Sequence, residues 1–244
     1  MKFDLDWGVF FQEMPGGGET YLELMISGLW WTLGVSACAW VIAMAVGSLV
    51  GTIRTTQSPW LVRLGNGWVE LFRNIPLLVQ MFLWYFVVPE FVPPLKAWMI
   101  RADPADAQFL SAVLCLGLFT SARVAEQVRA GIQSLPRGQR YAALAMGFTT
   151  WQAYRFVILP MAFRIILPPL TSEFLNTIKN TAVAITIGLL ELTGEARSMQ
   201  EFSFQVFEAF TGATVLYLAI NIVVVTLMRW LERSVAIPGY IAGK

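Results

Sequence analysis

Arg123 and Glu126 stand three residues apart in the second half of an otherwise apolar stretch, Phe109 to Ile132, with Arg129 one turn further on. An ionised group in hydrocarbon is costly, so such residues face a partner, a water-filled cavity or a solute. At a spacing of three they share a helix face and can pair with each other. A guanidinium also stays charged and offers a two-bond fork to a carboxylate, which suits Arg123 to an anionic solute crossing the membrane. A second polar set, Glu173, Asn176, Lys179 and Asn180, recurs at spacings of three and four in the apolar segment expected to begin after Pro168-Pro169. At about 1.5 Å per residue, Arg123, Glu126, Asn176 and Lys179 lie roughly 9 to 17 Å from the same end of their spans. The two sets therefore either close into an ion-pair network or line a shared cavity. Gln80 is the strongly polar side chain of a shorter apolar stretch, Ile75 to Val88, and fits a helix-to-helix hydrogen bond or the same pathway.

Positioning these groups takes membrane-crossing helices, and the composition supplies them. Of 244 residues 57% are hydrophobic and 14% charged, with a mean hydropathy of +0.61. That is too apolar for an ordinary soluble domain and predicts an all-α, polytopic membrane protein. Five spans are expected: Ile26 to Ile53, Ile75 to Val88 extended back to near Val69, Phe109 to Ile132, Ile165 to Leu192, and Phe210 to Leu231. An odd number puts the termini on opposite faces. Eleven of the seventeen basic residues, among them Arg54, Arg73, Arg137, Arg140, Arg164 and Arg233, fall in one set of loops and four in the other. Loops rich in Lys and Arg stay cytoplasmic, so the N-terminus is expected outside and the C-terminus inside.

The organisation expected is an interfacial segment over residues 1–25, a membrane domain over 26–233 and a cytoplasmic tail over 234–244. The first segment, acidic and aromatic, lacks the positive start and uncharged core of a signal peptide. Ala39, Ala43, Gly47 and Gly51 form a small-residue stripe that lets backbones approach, expected to pack helices within one subunit, with a subunit interface as the alternative. Cys38 and Cys115 fall in apolar spans and there is no histidine, so neither a disulfide framework nor a metal site is expected. No phosphate-binding Gly-x-x-x-x-Gly-Lys-Ser/Thr loop and no nucleophile-base arrangement occur, so no catalytic residue and no cofactor on this chain are expected. A net charge of +1 gives no reason to expect nucleic acid as a partner.

Between the third and fourth spans, about 133–164, the chain reads as two short helices hinged at a glycine. Ala142, Ala143, Ala145 and Met146 favour helix, Gly147 suits the left-handed position after its end, and Thr149 or Thr150 caps the next helix, expected to stop at Pro160. The alanines leave one side nearly bare, a rigid knob that a docking partner can grip.

Ala142-Ala143, Gly147 four residues later and Val157-x-Leu159-Pro160 resemble the EAA loop of ATP-binding-cassette importer permeases, with Tyr141 where that family usually has glutamate. Glu70-x-x-Arg73-x-x-Pro76-Leu77-x-x-Gln80 resembles the signature of permeases for polar amino acids. Residues 122–134 resemble the family stretch in which an aromatic residue usually occupies the site of Arg123; arginine there resembles the subset that imports glutamate and aspartate.

The resemblance implies the five-helix type I importer permease architecture in a bacterial inner membrane. It implies a coupling loop (Tyr141, Ala142, Ala143, Met146, Gly147, Leu159, Pro160) that docks on a dimer of cassette ATPases, where ATP and Mg are bound. It further implies a second permease subunit, a different chain or a copy of this one, and a periplasmic amino-acid-binding protein received in part by the loop from Pro89 to Gln108. Arg123, Glu126, Asn176, Lys179 and Gln80 become the expected substrate pathway. Two other expectations stand beside this one: a permease for another polar amino acid such as glutamine, and a secondary transporter driven by ion gradients through Glu126, Glu173 and Lys179.

Overall fold

The computed structural model describes residues 5–235; expectations resting on Lys2, on Lys244 and on most of the C-terminal tail lie outside the described residues. After a short 3-10 turn, Trp7–Phe11, the chain forms α1 (Tyr21–Ile53), α2 (Pro59–Asn74), α3 (Leu77–Phe91), α4 (Pro93–Arg101), α5 (Pro104–Ser134), α6 (Arg137–Ala145), α7 (Thr150–Ile187), α8 (Leu192–Ser203) and α9 (Val206–Val235). Among the described residues there is no named strand, only one isolated bridge between Glu13 and Thr20.

Helices α1, α5, α7 and α9 are each long and apolar enough to cross a membrane. The fifth expected span is different: α2 and α3 meet the test only as a pair, bent by 101° at their break. Ile75, pressed by Pro76, takes an extended conformation, and Pro76 follows it at ψ 139°, so no helix continues through them. Val69 therefore belongs to α2, an amphipathic helix that buries Gly65, Val69 and Phe72 and leaves Trp60 and Leu64 exposed. The α3 segment has fifteen residues, about 22 Å of helix, short of the roughly 30 Å of hydrocarbon.

Pro160, expected to end a helix, and Pro89, expected to open the outer loop, both lie within helices instead. In α3 the turn Leu83–Val87 is π-helical and ends two residues before Pro89; in α7 the turn Tyr154–Ile158 is π-helical and ends two residues before Pro160. Val88 N–H donates to the Leu83 carbonyl and Leu159 N–H to the Tyr154 carbonyl, each five residues back. A proline ring collides with the carbonyl four residues earlier, and a widened turn just before it gives that carbonyl room. Pro168 and Pro169 also lie within α7, so the fourth span does not begin after them. In α7 their missing N–H groups withdraw the usual donors from the carbonyls of Arg164 and Ile165, a loss that membrane helices tolerate.

The chain divides into two compact units. One comprises residues up to Ala39, Pro76–Gly117 and Asn176–Val223. Its core joins Val9, Tyr21, Met25, Leu192, Met199 and Ala213, so the N-terminal segment is packed into this unit as well as presenting aromatics at its surface. Glu191, fully buried, caps α8 by accepting from the N–H groups of Thr193 and Gly194, and Tyr217 donates to it at 2.9 Å.

The other unit comprises Trp40–Ile75, Leu118–Leu175 and residues from Val224. Within it α1 lies directly on α5. A methyl group on Gly47 would come 2.6 Å from Val124 Cβ and 2.7 Å from the Ser121 carbonyl, and one on Gly51 would come 2.7 Å from Val128 Cβ. Gly47 and Gly51 thus pack helices within one chain. Trp68 donates to Ser121 Oγ at 3.0 Å and fixes α2 to α5.

Candidate functional site

Three elements of the second unit converge on one polar cavity. Helix α5 contributes Phe119, Arg123, Glu126 and Gln127, α2 contributes Arg73, and α7 contributes Glu173; the cavity measures about 340 Å³. Arg123 does not pair with Glu126. Its guanidinium reaches Glu173 at 3.7 Å and lies over the Phe119 ring, 5.2 Å from the centroid. Glu126 turns the other way and receives Arg54 at 2.9 Å and Arg73 at 3.4 Å. The Arg54 side chain is only 5% exposed and also donates to Asn66 Oδ1 at 2.8 Å.

Arg123, Glu126 and Glu173 therefore do both things the sequence left open: they make ion pairs between helices, and they line a cavity. Chemically the cavity presents two partly open guanidinium groups, on Arg73 and Arg123, and two carboxylates, on Glu126 and Glu173. Such a lining has the chemistry to hold a small charged solute.

Of the other expected pathway residues, Asn176 and Lys179 follow Glu173 on α7 but belong to the first unit, where Asn176 is half-buried and Lys179 exposed. Gln80 is buried in the same unit, on the part of α3 that packs against the 3-10 turn Thr181–Ile187 closing α7.

Sequence reasoning missed the place of Arg73 in the wall of this cavity and the bond of Arg54 to Glu126 behind it. Arg54 and Arg73 read as loop charges, whereas Glu173 reads as part of the polar set expected to pair with, or share a cavity with, that of Arg123. The signal available was that a carboxylate at position 126 needs a cation, but nothing local says which.

The expected coupling loop has a distinct geometry. Helix α6 ends with Gly147 at φ +87°; Gly147 N–H donates to the Leu144 carbonyl and Phe148 N–H to the Ala143 carbonyl. These two bonds close the last turn in the manner a left-handed glycine allows. Two residues later Thr149 caps α7, accepting from Gln152 N–H while the Gln152 side chain accepts from Thr149 N–H. Tyr141, Met146 and Trp151 are 66%, 76% and 68% exposed, with Ala142 also at the surface, whereas Ala143 is buried. The Tyr154 hydroxyl donates to the Thr55 carbonyl at 2.9 Å and ties the start of α7 to the end of α1. Leu159 and Pro160 lie just beyond the π turn, half-buried and exposed respectively.

Known proteins share this architecture. The glutamate/aspartate import permease protein GltJ of Escherichia coli strain K12 is 50% identical over 246 residues, covering all of both chains. The glutamine transport system permease protein GlnP of the same strain is 32% identical over 97% of this chain and all of that protein. Among solved structures, that of an amino acid ABC transporter with histidines superposes with a TM-score of 0.74 at 32% identity, over 88% of this chain and 95% of that one. Residues 41–237 match the family model described as binding-protein-dependent transport system inner membrane component. The chain with its membrane-length helices, bent α2-α3 pair and capped α6-α7 corner belongs to that family of transport permeases.

Proposed function

We propose that this chain is a translocating subunit of an ATP-driven importer that carries glutamate and aspartate across a bacterial inner membrane. The observation that carries the substrate class is Arg123: a guanidinium on a membrane-spanning helix, lining a polar cavity and only loosely engaged by Glu173 at 3.7 Å. Full-length similarity to a permease for the same two amino acids supports the reading.

In this reading the chain is not itself an enzyme and holds no cofactor. A dimer of cassette ATPases binds ATP and Mg and grips the exposed face of α6 around Tyr141, Ala142, Met146 and Gly147, with Leu159 and Pro160 supporting the return into α7. A second permease chain completes the pathway, and a periplasmic binding protein delivers the amino acid to the outer side. The N-terminus lies outside and the C-terminus in the cytoplasm, which puts α6 where ATP is. Movement of α6 reaches the membrane through Tyr154, bonded to the end of α1, and alternately opens the cavity to the two sides.

The resemblance to a glutamine permease favours one second reading, import of a neutral amide amino acid. Uptake by proteoliposomes holding the complete importer separates the two. Loss of glutamate uptake in Arg123→Gln supports the acidic substrate; an unchanged rate refutes the role given to Arg123.

A further inference from the structure

Resting on the reading that Arg123 takes the side-chain carboxylate of an acidic amino acid, we propose that Arg73 and Glu173 complete the same site. Arg73 takes the substrate's α-carboxylate and Glu173 its α-ammonium.

The ion pairs around the cavity differ in tightness. Arg54 meets Glu126 at 2.9 Å with its side chain 5% exposed, a closed, charge-assisted hydrogen bond. Arg73 meets the same carboxylate at 3.4 Å and is 54% exposed, and Arg123 meets Glu173 at 3.7 Å and is 43% exposed. Both distances exceed that of a charge-assisted hydrogen bond. A guanidinium held in this way can still turn its two-bond fork to an incoming carboxylate, whereas Arg54 is committed. Phe119 beneath Arg123 keeps that group at the cavity wall without neutralising it. Glu173, 14% exposed, lines the same cavity and is the carboxylate not held by Arg54.

Charge matching fits the same ligand. The cavity is lined by two guanidinium groups, on Arg73 and Arg123, and two carboxylates, on Glu126 and Glu173, and Glu126 is already bonded closely by Arg54. Two cations and one anion, Glu173, are thus left to meet a ligand, and an acidic amino acid brings two carboxylates and one ammonium. Glutamine lacks the second carboxylate and leaves one guanidinium unmatched, and a basic amino acid adds a further positive charge beside it. A cavity of about 340 Å³ is of the size that holds a small ligand.

The test uses the assembled importer in nanodiscs, titrated with radiolabelled glutamate and competed with glutamine and with glutarate, a dicarboxylate lacking the ammonium. Arg123→Gln should raise the glutamate Kd about tenfold or more and leave the glutamine Kd unchanged; this arm tests the underlying reading. Arg73→Gln should raise both by a similar factor, because the two share an α-carboxylate. Glu173→Gln should raise the glutamate Kd and leave that of glutarate unchanged, with Glu173→Asp restoring part of the loss. If Arg73→Gln does not assemble, Arg73→Lys, which keeps the charge and loses the fork, replaces it with the same expectation. Glutamate and glutarate weakening in step in Glu173→Gln, or both amino acids unaffected at position 73, overturns the assignment while the Arg123 reading stands. An unaffected Arg123→Gln, or no glutamate binding to the unmodified assembly, overturns both.

Discussion

Arg54 and Glu126 meet at 2.9 Å although they stand 72 residues apart in sequence, joining the residue just past the end of α1 to the interior of α5. The guanidinium is nearly closed to solvent and the carboxylate is 32% exposed toward the cavity. Glu126 also receives Arg73, so one carboxylate holds α2, α5 and the end of α1 together.

Removing one member of this pair should destabilise the protein far more than removing both. Glu126→Leu leaves Arg54 buried without its anion, which costs about 3 to 5 kcal/mol. Arg54→Met added to Glu126→Leu replaces the pair with apolar groups and should recover most of that loss. Thermal unfolding of the detergent-solubilised complex checks this. A double variant as unstable as Glu126→Leu alone would locate the stabilisation elsewhere.

The close approach of α1 to α5 gives a second expectation. Gly47→Ala must push α1 off Val124 and the Ser121 carbonyl, contacts of 2.6 and 2.7 Å, and overpacking of this kind costs about 1 to 3 kcal/mol. Gly67→Ala, on the exposed side of α2 with nothing within 4 Å, should instead stabilise by about 0.5 to 1 kcal/mol. Opposite shifts of the unfolding midpoint are the expected result; equal shifts would mean that α1 and α5 are not in contact.

At the α6-α7 corner the backbone at Gly147 is left-handed, φ +87°, and a methyl group there would meet nothing within 4 Å. The cost of Gly147→Ala is then purely conformational, about 1 kcal/mol, and falls on the turn that ends α6. Gly147→Asn, a residue that adopts this conformation more readily, should retain more function. The readout is the ratio of binding-protein-stimulated to basal ATPase activity of the complete importer, expected to rank Gly, then Asn, then Ala. Asn falling below Ala would detach coupling from this turn.

This corner was legible in the sequence because its determinants are local: helix formers, a glycine and a threonine with glutamine three residues on define both caps within eleven residues. Pro160 and Pro89 misled for the same local reason. A proline removes one hydrogen bond wherever it stands, and whether the helix stops or widens into a π turn depends on the packing around it. The break at Ile75-Pro76 was visible as a proline, but its 101° angle was not, since direction is set by what α2 and α3 each pack against. Arg123 was found because charge in an apolar stretch stands out. The set containing Glu173 was expected to meet it, but that Glu173 is the member that pairs with Arg123, and that Arg73 stands at the same cavity, depends on how α2, α5 and α7 come together in the fold. Arg54 looked like any basic residue at the end of a span until its burial was seen.

The corner before α8 carries the last expectation. Glu195 is buried against α1, its Cγ 2.8 Å from where a methyl group on Gly28 would stand. Burial first, then the nearby charges of Glu19 and Glu191, push its carboxyl up to about 7 from an ordinary value of 4.5. The Glu191 carboxyl is also raised by burial, against the lowering effect of hydrogen bonds from Thr193, Tyr217 and Gly194. In the unfolded chain Glu195 releases its proton near 4.5, while in the folded protein it keeps the proton to about 7. Between those values the unfolded state binds fewer protons, so stability falls as pH rises. The full contribution is present below 4.5 and lost above about 7, and amounts to about 3 kcal/mol at most. Glu195→Gln, which cannot ionise, should leave the unfolding midpoint at pH 5 nearly unchanged and raise it at pH 8. The raised Glu191 carboxyl contributes a slope in the same direction in both proteins. Identical pH profiles for the two proteins would show that the Glu195 carboxyl releases its proton in the folded state near the ordinary 4.5 and that burial does not hold it.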